Sequence, residues 1–364
     1  MKKIADNVLM VKNNQMKTQR EYGLFLLILI LILFNSCKKQ EDIIAEDIKT
    51  DILRIYSYDS FTIWGLGPVI AEEFERLYDC QIIFETIGEG AALLNHVIYE
   101  KDNPQADVVV GIQNTQIFHA LASNVFLPYE PDNIKNIKDK SLIVDKKYRL
   151  IPFDYSFYAF VYDSEQIPIP PTTFGELQNS TWKDKIILID PRTSATGYGM
   201  LIWSLGLFTD RGFEIFWQRF RSNILTFPAS WTEAYTAFRT GEAPIVLSYS
   251  TSPAYHIHEE HTDRYKSFIP IEGGLKEIEF AGIISGAKNL FLAKKFIEYM
   301  LTLDFQQHVP TNQWMYPVIE GVELPPSFDD LPLPTKDLSE SVFSKPNYFA
   351  DQWLDVWVRA VTKK

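Results

Sequence analysis

The 364-residue chain predicts an α/β fold built as two lobes with a cleft between them. Three observations carry that expectation. Strand-like apolar runs alternate with helical stretches from residue 51 onward, there are too many strands for one sheet, and 46% hydrophobic with 14% aromatic residues is enough to fill large cores.

The elements follow in order. DILRIYSY (51–58) reads as a strand, and the next stretch reads as a helix with Pro68 near its first turn and Ile70, Phe74 and Leu77 on one face. QIIFETI (81–87) is a second strand, and the GEG turn (88–90) leads into a helix carrying Leu93, Leu94, Val97 and Ile98. ADVVVGI (106–112) is nearly continuous in β-branched residues, as expected of a parallel strand covered on both faces. Later strands are expected at 157–164, 185–190, 243–249 and 279–285, interleaved with helices such as 212–224 and 293–303. The expected division is a first lobe over 51–155, a second over 156–278, and a return to the first with C-terminal helices over 279–364. No internal repeat is visible.

Charge narrows the function. With 35 basic against 47 acidic residues and a net charge of -12, the chain lacks the clustered Lys and Arg that nucleic acid needs, and a cationic ligand suits it better. Two cysteines make neither a disulfide framework nor a cysteine-rich zinc site.

The N-terminus reads as an export signal. Lys17 and Arg20 flank the apolar run Leu24–Phe34, and Asn35-Ser36 precedes Cys37. The run is well short of the roughly 20 residues that span a bilayer as a helix, so a cleaved signal over 1–36 and lipidation at Cys37 are expected, with Met16 as an alternative start. Residues 37–50 then form a lipidated tether, and the mature protein sits in the periplasm or cell envelope as a membrane-anchored lipoprotein.

Ligands of α/β sheets bind beyond the carboxyl ends of strands. Tyr58 and Asp59 follow the first strand, and Glu89 follows the second between glycines that let the backbone approach a ligand. In DPRTSATGYG (190–199), Thr193, Ser194 and Thr196 can cap a helix whose free N–H groups form an anion site. This stretch lacks the lysine and spacing of a phosphate-binding loop, so nucleotide hydrolysis is not indicated. Trp231, Tyr249, Tyr255 and Trp314 lie at strand or helix ends. Each alone could be core, but together with Asp59 and Glu89 they make a cage for a flat cation.

HIHEEH (256–261) suggests a metal cluster, yet adjacent helical positions diverge around the axis, so no metal and no cofactor are expected. Cys80 opens a strand, where burial is the usual fate of a free thiol.

In sum the chain resembles the substrate-binding proteins of thiamine ABC transporters, within the two-lobed periplasmic binding proteins. The segments are YSYDSF, GEG followed by ALLN, ADVVVG, IPFDYSFYAFVYD, DPRTSATGYG, SWTEAY, VLSYSTSPAYH and QWMYPV, spread between Leu53 and Val358. The resemblance implies a type II fold whose lobes close on thiamine or its phosphate esters, a membrane permease and its ATPase as partners, and no catalysis. It implies ligand contacts at Tyr58, Asp59, Glu89, Trp231, Tyr249, Tyr255 and Trp314, with Ser194 on the phosphate side. Gln113-Asn114 depart from it, standing where the family commonly has an acid. Two other readings stay open: a receptor for another organic cation such as a polyamine, and a thiamine-degrading enzyme, for which nothing near Cys80 supplies an activating base.

Overall fold

The computed structural model describes residues 51–63 and 65–362. The signal segment, Cys37 and the tether lie outside the described residues. Among the described residues ten strands form: β1 Asp51–Ser57, β2 Cys80–Thr86, β3 Val108–Gln113, β4 Ile151–Asp163, β5 Ile186–Ile187, β6 Ile224–Thr226, β7 Ile245–Tyr249, β8 Tyr265–Phe268, β9 Lys276–Ile283 and β10 Tyr316–Pro317. The helices used below are α1 Asp59–Ile63, α2 Leu66–Tyr78, α3 Ala91–Tyr99, α4 Ala195–Leu207, α5 Asp210–Phe220, α6 Trp231–Arg239, α7 Pro253–His258, α8 Leu290–Met300 and α9 Gln352–Thr362.

The strand order is β2-β1-β3-β9-β4-β7-β5-β6, with β8 and β10 also paired to β4. The strands, expected to be too many for one sheet, are hydrogen-bonded into one continuous mixed sheet through the long β4: β1 runs parallel to β2 and β3, whereas β9 is antiparallel to both β3 and β4. The 13-residue β4 joins the lobes, because Ile151–Phe157 pair with β9 and Tyr158–Asp163 pair with β7 and β8. Its sequence IPFDYSFYAFVYD is buried almost throughout, as a strand covered on both faces must be.

Each lobe has its own core. Leu53, Ile55, Phe61, Val108 and Phe296 belong to the first, and Phe160, Trp203, Phe216, Trp217 and Leu247 to the second. The chain after 278 divides between them: Ile278–Ile319 supply the first core, while Leu338, Val342, Trp357 and Ala360 are buried in the second. The architecture is the two-lobed type II arrangement.

Several local expectations shift. In α2, Ile70 and Phe74 are buried but Leu77 is 48% exposed, and Tyr78 takes its place against Phe74 with ring centroids 4.6 Å apart. The ladder expected over 185–190 contracts to Ile186–Ile187. The helix expected over 212–224 ends at Phe220, because the buried Asn223 amide donates to the Leu177 and Asn179 carbonyls at 2.8 Å and pulls the chain into β6. Tyr316 and Pro317, absent from the strand expectations, pair with the first half of β4.

Candidate functional site

A cavity of about 160 Å3 lies between the lobes. Of the residues expected to meet a ligand, Tyr58, Glu89, Trp231, Tyr249, Tyr255 and Trp314 line it; Asp59 and Ser194 do not.

Tyr58 enters from the carboxyl end of β1, and its hydroxyl donates to Glu279 Oε2 at the cavity floor. Room for its ring comes from Gly111, which sits at φ +104° in the bulge between Val110 and Ile112, where an added Cβ would stand 2.3 Å from the ring. Asp59 is turned elsewhere: Oδ1 accepts from the Ser60 N–H at 2.7 Å and from the Thr232 hydroxyl at 3.4 Å. The second carboxylate on the cavity wall, beside Glu89, is therefore not Asp59 but Glu279.

The aromatic walls come from both lobes. Trp231 opens α6, stacks on Tyr235 at 4.9 Å and 20°, and donates from Nε1 to Ser248 Oγ at 2.9 Å. Tyr235, one turn further along, was not expected at the site. Its 3.6-residue phase relative to Trp231 in SWTEAY is the signal that marks it. Trp314 follows the irregular turn Val309–Gln313 in the left-handed region at φ +59°, a conformation that costs a bulky residue on the order of 1 kcal/mol. It meets Tyr255 of the other lobe edge-on at 5.4 Å and 84°. Tyr255 is already beside a cation, since the Arg239 guanidinium lies 5.7 Å from its ring centroid and is held by Glu260. The Tyr249 hydroxyl is within 2.7 Å of Thr196 Oγ1.

Glu89 differs from its sequence-based role. It joins the lobes: Oε2 accepts from the Ser194 hydroxyl at 2.6 Å and Oε1 from the Trp231 backbone N–H at 2.9 Å. Ser194 precedes α4 without a side-chain cap bond to it, so the anion expected at this helix start is met by the protein's own carboxylate. The glycines beside Glu89 admit the opposite lobe: at Gly90, φ +59°, a Cβ would lie 2.5 Å from Ala195 N. Burial pushes the Glu89 carboxyl up, against the two donated bonds that favour its charge.

The floor is the part that sequence reading missed. Glu279 lies in β9, flanked by buried Ile278 and Phe280, and accepts from Tyr58 and, at 3.4 Å each, from Gln113 Nε2 and Gln313 Nε2. Burial first, and Glu89 second among the groups that raise it, push its carboxyl up to about 7, while Tyr58, Gln113 and Gln313 pull it down. The detectable signal is KEIEF, where acids alternate with apolar residues inside a strand that is otherwise core. Gln113, read as a charge lost from the rim, turns out to bridge the lobes through Tyr249 and Tyr158.

In HIHEEH, His256 is fully buried between the Tyr235 hydroxyl at 2.9 Å and Glu260 at 2.6 Å, and burial holds its pKa down. Among the described residues no group of His, Cys, Asp and Glu could hold a metal ion. Cys80 is buried, and burial with Glu75, Asp51 and Asp79 nearby pushes its thiol up to about 11, the opposite of nucleophile activation.

Two lobes hinged on crossing strands around an aromatic cavity define a solute receptor. Residues 103–337 match the model of the bacterial extracellular solute-binding proteins, and the chain belongs to that family. It is 40% identical over 319 residues to a thiamine-binding periplasmic protein of Brucella abortus, covering 86% of this chain and 93% of that one. It is 35% identical to the thiamine-binding periplasmic protein of Escherichia coli K12, over 86% and 94%. Among solved structures, a periplasmic thiamin binding protein matches with a TM-score of 0.80 at 34% identity, over 86% of this chain and 97% of that one.

Proposed function

We propose that the protein is the thiamine-capturing component of an ABC importer, with no catalytic activity of its own. The observation that carries this reading is the cavity, which is lined by aromatic rings from both lobes and by two carboxyl groups, Glu89 and Glu279. Trp231 and Tyr235 face it from the second lobe and Trp314 from the first, with Glu279 below. A thiazolium ring has a fixed positive charge and a flat π-system, so aromatic faces and a buried carboxylate are the groups that hold it. A linear polyamine needs free carboxylates spaced along a groove, whereas Glu89 is already taken up by the Ser194 hydroxyl and the Trp231 N–H, which leaves Glu279. Tyr58, Glu89, Tyr249 and Tyr255 complete the proposed contacts, and Asp59 acts indirectly through Thr232.

Phosphate esters of thiamine meet Glu89. A phosphate that reached Ser194 and the start of α4 would have to displace this carboxylate, so the unphosphorylated vitamin is the preferred ligand. Capture proceeds by closure, in which the ligand's greater affinity for the closed arrangement shifts the population. A membrane permease then recognises the closed form, and its ATPase supplies the energy. Among the described residues no helix is long and apolar enough to cross a membrane. A lipid on Cys37 provides the attachment, with the domain on the periplasmic or outer side.

Calorimetric titration tests the reading. Thiamine is expected to bind with one-to-one stoichiometry and more tightly than thiamine monophosphate or spermidine. A tighter complex with spermidine, or no heat with thiamine, would refute it.

A further inference from the structure

Beneath the cavity the crossing strands hold three acids. Asp154 of β4 is paired in register with Glu279 of β9, and Glu277 is paired with Ser156 two residues along. Asp154 and Glu277 are fully buried and Glu279 is 5% exposed. Among the described residues, neither oxygen of Asp154 and neither of Glu277 has a hydrogen-bond partner. No salt bridge among the described residues reaches the three, because Lys276 turns its ammonium to Asp139 and Asp337 at 3.3 and 3.6 Å.

The groups that interact with Glu279 are neutral or acidic: the phenols of Tyr58, Tyr158 and Tyr249, the amides of Gln113 and Gln313, and the carboxyls of Asp154, Glu277 and Glu89; Arg239, which also lines the cavity, is paired with Glu260. Three carboxylates in one dry region with no counter-cation cannot all ionise, because each added charge is both desolvated and repelled. Of the three only Glu279 lines the cavity, so only there can a ligand supply the missing positive charge.

We propose that this cluster is a proton-binding site coupled to the ligand cavity: Glu279 carries a proton in the unliganded receptor and gives it to solvent when a cationic ligand is bound. The inference rests on the thiamine reading. The exchange balances, since the Glu279 O–H bond breaks, the proton passes to water, and the carboxylate left behind neutralises the ligand's fixed charge. Asp154 and Glu277 stay protonated and neutral, so the cost of the Glu279 charge comes from its own burial and from Glu89 until the cation arrives. Glu279 thereby selects for ligands that are cationic at every pH.

The sign follows from linkage. Below about pH 7 the free floor is protonated, so binding must expel a proton and the dissociation constant falls as pH rises, by up to about tenfold per unit. Above that range the floor is already ionised and affinity levels off.

The test is calorimetric titration of the whole chain with thiamine at pH 6.0 and 8.5, each in two buffers of different ionisation enthalpy. Release approaching one proton is expected at pH 6.0 and little at pH 8.5. Glu279→Gln should abolish both the release and the pH dependence, and Glu89→Gln, which removes the charge that raises Glu279, should move the release to lower pH. The Glu89 variant and the wild-type measurement remain decisive if the Glu279 variant does not fold. Thiamine binding with no proton release at pH 6.0, or release that persists in Glu279→Gln, would overturn the proposal while leaving the receptor reading intact. Absence of thiamine binding would overturn both.

Discussion

The rim and the floor of the cleft each bury carboxyl groups pushed above their usual range, yet the two regions treat them oppositely. At the rim, Glu89 receives a hydroxyl and a backbone N–H from the other lobe, so its charge is answered by donors fixed at the starts of α4 and α6. At the floor, Asp154 and Glu277 receive nothing, and Glu279 receives only phenol and amide donors. A satisfied buried carboxylate can act as a clasp, while an unsatisfied one stays protonated or awaits a cation. The same residue type thus serves closure in one place and charge recognition in the other.

The largest expected effect is at the rim. Gly90→Val places a branched side chain where even a Cβ would lie 2.5 Å from Ala195 N, and puts a β-branched residue at φ +59°. Overpacking of about 2 kcal/mol corresponds to roughly a thirtyfold loss of thiamine affinity. The folded core should persist, since Gly90 meets the opposite lobe and not its own core; affinity within threefold of wild type would show that closure does not need this contact.

Replacing the clasp's charge comes next. Glu89→Gln removes one acceptor and the negative charge, which should weaken thiamine binding by about 1 kcal/mol. Thiamine monophosphate should be spared, because the repulsion at the α4 start is gone. The ratio of monophosphate to thiamine dissociation constants is therefore expected to fall, and an unchanged ratio would place the phosphate away from Glu89.

The smallest effect belongs to the floor and is read as stability. The carboxyl of Asp154 is raised in the fold by burial and then by Glu279, and that of Glu277 by burial, then by Glu279 and Asp154, so the folded chain binds more protons than the unfolded one. Their contribution is fully present below the unfolded carboxyl range and is lost as pH rises through the folded values. The unliganded protein should melt at a lower temperature at pH 8 than at pH 5.5. Asp154→Asn should raise stability at both pH values, and more at pH 8 than at pH 5.5. A variant that is less stable at pH 8 would mean that Asp154 has a partner.

These regions also differ in how far sequence revealed them. The rim and walls lie at strand and helix ends, where Tyr58, Glu89, Trp231, Tyr249, Tyr255 and Trp314 stand out against turn chemistry, and all six line the cavity. Sequence order could not reveal that Ser194 meets Glu89, because they lie 105 residues apart and the pairing exists only between lobes. The floor was hidden for a different reason. Asp154 and Glu279 sit inside strands, where apolar neighbours lead one to read core, and only the crossing of β4 and β9 brings them together. The short β6 and β10 escaped the reading because two or three residues carry no periodicity.

Closure of two lobes on thiamine is the central claim, and small-angle X-ray scattering of the whole protein in solution tests it most directly. The radius of gyration should be smaller with saturating thiamine than without it, and Gly90→Val should lose most of that contraction. Saturable thiamine binding with no change in the radius of gyration of the wild-type protein would contradict the account.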